Sequence, residues 1–250
     1  MVNYLNAELY KVSKRKYPYI FTLVMLGFVA LIMIMGLETK RQYGEGISFS
    51  SMTAILVMAM SAALYLVIMP CDMAFSEQYK HNTLKNEVAY GVPRARIYLG
   101  KLITALVTAV VLCAVIIAIY VLLSLVLFSR SDVARGMTQL LEALAVGVPT
   151  WMGGISLFFM LSFLFKGATA ATIVYVCVVG VLPSALNMIG MIQPKLLSAT
   201  NAIHACLLAS PYDGLMQESF NIPYGWAVGM GWLVVTTVIG LLVFRKREIS

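Results

Sequence analysis

Side chains able to do chemistry are few and scattered in this 250-residue chain. A zinc-protease site needs two histidines one helical turn apart beside a glutamate, and the two present, His81 and His204, lie in distant segments. A hydrolase elbow needs glycine on both sides of its nucleophile; Ser156 follows Gly153-Gly154 but lacks the second flank. The one Gly-Lys pair, Gly100-Lys101, would require Gly at 95 and Ser or Thr at 102 to cradle phosphates. Ala95 and Leu102 stand there, so the chain does not bind ATP by that device. Cys71, Cys113, Cys177 and Cys206 form no CxxC pair and sit among apolar neighbours, which fits small packing side chains rather than metal ligands or disulfides. Two acids, Asp72 after Pro70 and Glu142, are the residues an ion-coupled carrier or channel would use. Both fall near the ends of apolar stretches, and no repeat between the halves accompanies them.

The polar side chains are concentrated in residues 75–103, FSEQYKHNTLKNEVAYGVPRARIYLGKLI, the longest charged stretch. It holds Glu77, Lys80, Lys85, Glu87, Arg94, Arg96 and Lys101 and breaks at Gly91-Val92-Pro93, where glycine permits a sharp turn and proline disfavours helix in its predecessor. The expected form is two short helices joined by a turn. A loop that only sets topology has no use for Glu77 and Glu87; a docking surface for a soluble partner does.

What positions this stretch is a membrane scaffold. The chain is 61% apolar and 12% charged, against roughly 45–50% and 25% in soluble domains. Six apolar runs, 19–37, 51–75, 99–128, 140–165, 168–192 and 226–244, are each long enough to cross a bilayer core of about 30 Å. The first follows a basic cluster, but it exceeds a signal peptide's apolar region and no cleavage site follows, so it reads as a retained helix. Six crossings put both termini on one side. Of the 18 Lys and Arg residues, only Lys40, Arg41, Arg130, Arg135 and Lys195 fall on the far side, so the termini and the 75–103 stretch are expected in the cytoplasm. That placement also accounts for the formal charge of +7 without nucleic acid.

Two further segments flank the spans. Val2, Leu5, Leu9 and Val12 recur at helical spacing with Asn3, Asn6, Lys11 and Lys14 on other faces, which predicts an amphipathic helix within residues 1–17 lying in the membrane interface. Residues 193–225 are too apolar for a plain loop, yet Pro194, Pro211-Tyr212-Asp213-Gly214 and Pro223 cut them into pieces too short to span. Re-entrant helices packed against protein are expected there.

Glu77, then Thr83-Leu84-Lys85-Asn86, Gly91-Val92-Pro93-Arg94 and Gly100-Lys101-Leu102 resemble the E…GTLKN…G-V-x-R…GKL pattern between the second and third helices of type-2 ABC exporter permeases, with Asn82 where that family usually has glycine. The lead-in NAELYKVSKRK resembles the elbow helix of those permeases, residues 193–225 their outer re-entrant pair, and FRKREI their terminal tail. The resemblance implies an all-α, six-span domain over residues 1–250, without catalytic or metal residues, that works with a separate ATPase carrying ATP and Mg²⁺. It implies that residues 75–103 contain a coupling helix, with Glu77, Thr83, Lys85, Arg94 and Lys101 at or beside the ATPase contact and Lys166 as a secondary contact. Six spans are too few to enclose a wide path, so two copies with two ATPases are expected in a bacterial inner membrane. The substrate class implied is amphipathic or hydrophobic, antimicrobial or cytolytic peptides first, with drugs, lipids or glycans as the other options. The 16 methionines, eight of them in the first two spans, suit an adaptable apolar path or simple lipid contact.

Overall fold

The computed structural model describes residues 2–43, 47–80, 87, 89–165, 168–215 and 219–246. Among them there is no strand, and the chain folds as helices: α1 (Val2–Ser13), α2 (Lys16–Tyr43), α3 (Phe49–Leu66), α4 (Ile68–Lys80), α5 (Arg94–Leu127), α6 (Val133–Phe165), α7 (Ala168–Val176), α8 (Leu182–Ile192), α9 (Leu197–Ala205), α10 (Ser210–Leu215) and α11 (Ile222–Lys246). Six helical stretches, Lys16–Gln42, Phe49–Ala74, Arg94–Leu127, Val133–Phe165, Thr169–Ile192 and Ile222–Arg245, are long and apolar enough to cross a membrane.

Two spans are interrupted, and proline explains each interruption. Pro70 has no N–H to offer the carbonyl of Leu66, so α3 closes there, with Val67 N–H bonded back to Ala63, and the span continues as α4. Pro183 likewise withdraws the donor that the carbonyl of Val179 would need. The ladder loosens to a π turn over Cys177–Val181, in which Leu182 N–H reaches Cys177.

The spans are not equivalent. In α6, 72% of the apolar stretch is buried, against 11% in α5, so α6 is the central post and its neighbours face lipid. Its closest partner is α11, and the contact is made by small residues. A Cβ on Gly229 would strike the Pro149 carbonyl, and one on Gly225 would lie 2.9 Å from Val146. Where lipid removes the hydrophobic incentive for helices to associate, such close approach supplies the attraction by dispersion. Ser156 adds a polar lock: it accepts from Thr236 at 2.7 Å, donates to the Leu233 carbonyl and lies 2.9 Å from the Thr237 hydroxyl. Its hydroxyl is therefore occupied in packing, not poised for attack.

Helix α5 is 34 residues long, about 51 Å at 1.5 Å per residue, and the hydrocarbon core is about 30 Å thick. Its ends therefore project. Within 75–103, α4 runs to Lys80 and Arg94 begins α5 with no break before Leu99; Glu87 and Ala89 are helical ahead of the Gly91 turn. Nothing after Pro93 interrupts the helical ladder.

Candidate functional site

The turn that launches α5 is built from its own sequence. Gly91 takes a φ of 82°, a left-handed conformation that costs a Cβ-bearing residue but not glycine. Val92 N–H then bonds the Glu87 carbonyl at 3.2 Å, the six-to-one closure of a Schellman cap, and Pro93 prevents the preceding helix from continuing. The Pro93 carbonyl in turn accepts from Arg96 and Ile97, opening α5. In the first turn of that helix, the Arg94 guanidinium donates to the carbonyls of Phe244 and Arg245 at 3.3 and 2.9 Å. A cation on the last carbonyls of α11 satisfies acceptors the helix itself leaves open and complements its dipole. Arg94 thus ties the first turn of α5 to the last turn of α11.

Two turns further on, Lys101 is completely buried. Its ammonium lies 3.1 Å from Glu8 Oε2 and 3.3 Å from Glu87 Oε1. Lys11 reaches the other Glu8 oxygen at 2.6 Å and approaches Glu87 at 3.9 Å, and the Tyr4 hydroxyl donates to Glu87 Oε2 at 2.8 Å. Two carboxylates and two ammonium groups make the cluster neutral, the condition under which buried charge is tolerated. Burial pushes the Glu8 carboxyl up, but Lys101 and Lys11 together outweigh it and hold the group below the ordinary carboxylate range. Burial, reinforced by the negative charges of Glu8 and Glu87, holds the Tyr4 phenol well above its ordinary value, so it stays a donor.

Gly100 makes this arrangement possible: a Cβ there would lie 2.5 Å from Tyr4 Cε1, so glycine lets the edge of the ring come against α5. A third tie holds the end of α1, where Arg15 donates to the Met73 carbonyl of α4 at 2.6 Å. Helix α1 is therefore fastened to α4, to α5 and to residue 87. Beneath the cluster, Tyr98 packs edge-on against Phe159 at 5.2 Å and tilted against Phe163 at 5.0 Å, and Phe163 meets Phe244 at 4.8 Å. These rings connect the projecting base of α5 to α6 and α11, and Cys71 of α4 donates to the Ile155 carbonyl of α6.

Of the residues expected at a partner contact, Glu77 lies in the last turns of α4, and Thr83, Lys85 and Lys166 lie outside the described residues. Arg94 is at the base, turned toward α11. Lys101 is a buried keystone rather than a surface contact, because two carboxylates take up its charge. The sequence reading missed Tyr4, Glu8 and the pairing of Glu87. A signal was present for Glu8: it shares the apolar stripe of Leu5, Leu9 and Val12, and a carboxylate on a face that must be buried requires a cation. Lys101 carries the converse signal, one turn from Ile97 and Ala105 on the buried side of α5.

Away from this cluster, α10 docks through Tyr212, whose hydroxyl sits 2.6 Å from that of Thr150 and also donates to the Gly147 carbonyl. Ser61, Leu64, Tyr65, Val179, Ala209 and Tyr212 line a half-open pocket between α3, the π turn and α10. Among the described residues no group of three or more His, Cys, Asp or Glu could hold a metal. The family model described as ABC-2 family transporter protein matches residues 4–184. No curated protein matches the chain.

Proposed function

The chain belongs to the ABC-2 family of transporter proteins, and from that premise we propose that it is the membrane subunit of an ATP-driven exporter, moved by a separate ATPase that docks on residues 75–103. The observation that supports this reading most directly is the cluster of Lys101, Glu8, Glu87, Lys11 and Tyr4. Closing two ATPase subunits can move spans only through an element too stiff to yield, and a buried, fully paired charge cluster at the foot of α5 is such an element.

In this reading Glu77, Thr83, Lys85 and Arg94 lie at or beside the ATPase, Lys166 provides a secondary contact, and Lys101 stiffens the joint from behind. ATP and Mg²⁺ belong to the partner: Gly100 and Lys101 lie within a continuous helix, and the ammonium is committed to carboxylates. Force arriving at the base of α5 would pass through Arg94 and the Tyr98 rings to α6 and α11. Two copies related by a two-fold axis would enclose the path, with both termini and residues 75–103 on the cytoplasmic side of a bacterial inner membrane, α1 in its interface and 193–225 forming the outer re-entrant pair. Amphipathic or hydrophobic substrates, cytolytic peptides foremost, fit a scaffold whose pocket between α3, the π turn and α10 is lined mainly by apolar and tyrosine side chains.

The test is co-purification with the genetically adjacent ATPase, followed by paired measurements of ATP hydrolysis and transport in vesicles. Glu77→Ala and Arg94→Ala are expected to leave the complex assembled but hydrolysing without transport. Normal transport by both variants, or transport by the chain with no ATPase present, would overturn the reading.

A further inference from the structure

The junction between α1 and α2 carries cations that no carboxylate among the described residues neutralises. Lys11 is spent on Glu8, and Arg15 on the Met73 carbonyl. Lys14 and Lys16 are exposed, and among the described residues no carboxylate pairs with either; Lys14 stands only over the Tyr10 ring, 5.4 Å from its centroid. Around them Tyr10, Tyr17 and Tyr19 are each about two-thirds exposed, and the Tyr19 hydroxyl turns back to the Ser13 carbonyl at 2.8 Å.

Position decides what can face these groups. Lys16 is the first residue of α2, whose apolar stretch crosses the membrane, so both lysines sit at the depth of lipid headgroups whichever side that end occupies. Tyrosines with an apolar body and a polar tip prefer the same depth. A cation there with no counter-charge among the described residues meets phospholipid phosphate, and anionic headgroups add attraction for each lysine near the surface.

We propose that Lys14 and Lys16, framed by Tyr10, Tyr17 and Tyr19, form a seat for anionic phospholipid headgroups, and that its occupancy governs how firmly α1 holds the Lys101 cluster. The link is mechanical and short. Lys14 adjoins the last turn of α1, and the same helix carries Tyr4, Glu8 and Lys11 into the cluster with Lys101 and Glu87. Pinning one end of a 12-residue helix restrains the other. An effect of the lipid on ATPase coupling rests on the function proposed above; the lipid contact itself does not.

Hydrogen exchange of the α1 amides, measured on the full chain in vesicles, tests this without any ATPase. Moving from pure phosphatidylcholine to vesicles containing phosphatidylglycerol is expected to slow α1 exchange roughly thirtyfold, from the attraction of two lysines for the charged surface. Lys14→Gln/Lys16→Gln is expected to exchange like the parent in phosphatidylcholine and to lose the slowing. Arg41→Gln/Lys195→Gln, which removes two exposed cations elsewhere, is expected to keep it. The seat is refuted if the parent exchanges equally in both vesicles, if the Arg41/Lys195 pair matters as much, or if inorganic phosphate in phosphatidylcholine vesicles reproduces the slowing. In the assembled complex, phosphatidylglycerol is expected to raise ATPase coupling in the parent and in Arg41→Gln/Lys195→Gln but not in Lys14→Gln/Lys16→Gln. Lipid-dependent protection with no ATPase ever associating would refute the function while leaving the lipid seat standing.

Discussion

Lys101 is the residue on which the base of the molecule turns. Replacing it with alanine leaves buried Glu8 and partly buried Glu87 with only Lys11 to offset them. Breaking a buried pair from one side typically costs about 3–5 kcal/mol, and a loss of that order is expected in thermal unfolding of Lys101→Ala in detergent. Lys101→Met/Glu8→Gln, which removes both charges at similar volume, is expected to recover most of it; a double variant as unstable as the single would mean the side chains matter by shape alone. Glu8 also sets a pH dependence. Its folded-state affinity for a proton is lowered, so its contribution is complete above the ordinary carboxylate range and lost as pH falls through and below that range. Glu8→Gln is expected to flatten the acid limb of the stability profile and leave the neutral plateau lower. Neither partner of the pair is legible alone. Glu8 and Lys101 are separated by two whole spans, and the sequence shows only that each sits on a face where a charge is out of place. Gly91, Arg94, Gly100 and Lys101 were legible as a motif, but the reason for the glycine at 100 is a ring on another helix.

Among elements, the spans could be read from the chain because hydropathy over some 20 residues reports a solvent, and the solvent here is lipid. The interruptions at Val67 and at Cys177–Val181 could not, although Pro70 and Pro183 mark them. A missing donor can end, kink or loosen a helix, and neighbouring helices decide which. Pairing of α6 with α11 was equally hidden, since the small residues that permit it are common in apolar helices. It yields a sharp contrast within one turn. On Gly229 an added methyl meets the Pro149 backbone, which cannot rotate away as a side chain could; on Gly231 it meets nothing within 4 Å. Gly229→Ala is expected to destabilise the protein by at least the roughly 1–3 kcal/mol typical of overpacking. Gly231→Ala, replacing glycine inside a helix, is expected to be neutral or stabilising by up to about 1 kcal/mol. Equal thermal shifts for the two would show that α6 and α11 are not held at this distance.

At the level of the whole molecule the open quantity is direction, and the four free cysteines give a way to read it. The six spans fix the alternation of ends but not which end is which; the asymmetry of Lys and Arg favours the side bearing Lys14 and Arg94 as cytoplasmic. Cys206 follows α9, beyond the far end of the fifth span, and is exposed. Cys177 is exposed too, but it lies in the π turn within that span, where an exposed thiol faces lipid. Cys71 is buried beneath the Ile155 carbonyl, and Cys113 is half-buried within α5. A charged, membrane-impermeant maleimide added to intact cells should therefore label Cys206 and spare the other three. Ser13→Cys, exposed at the end of α1, placed in a background with Cys206→Ser, should become reactive only once the membrane is opened. Labelling of the introduced thiol from outside, with Cys206 of the parent protected until permeabilisation, would invert the molecule. The Lys101 cluster would then face away from cytoplasmic ATP, and no ATPase could reach the base of α5.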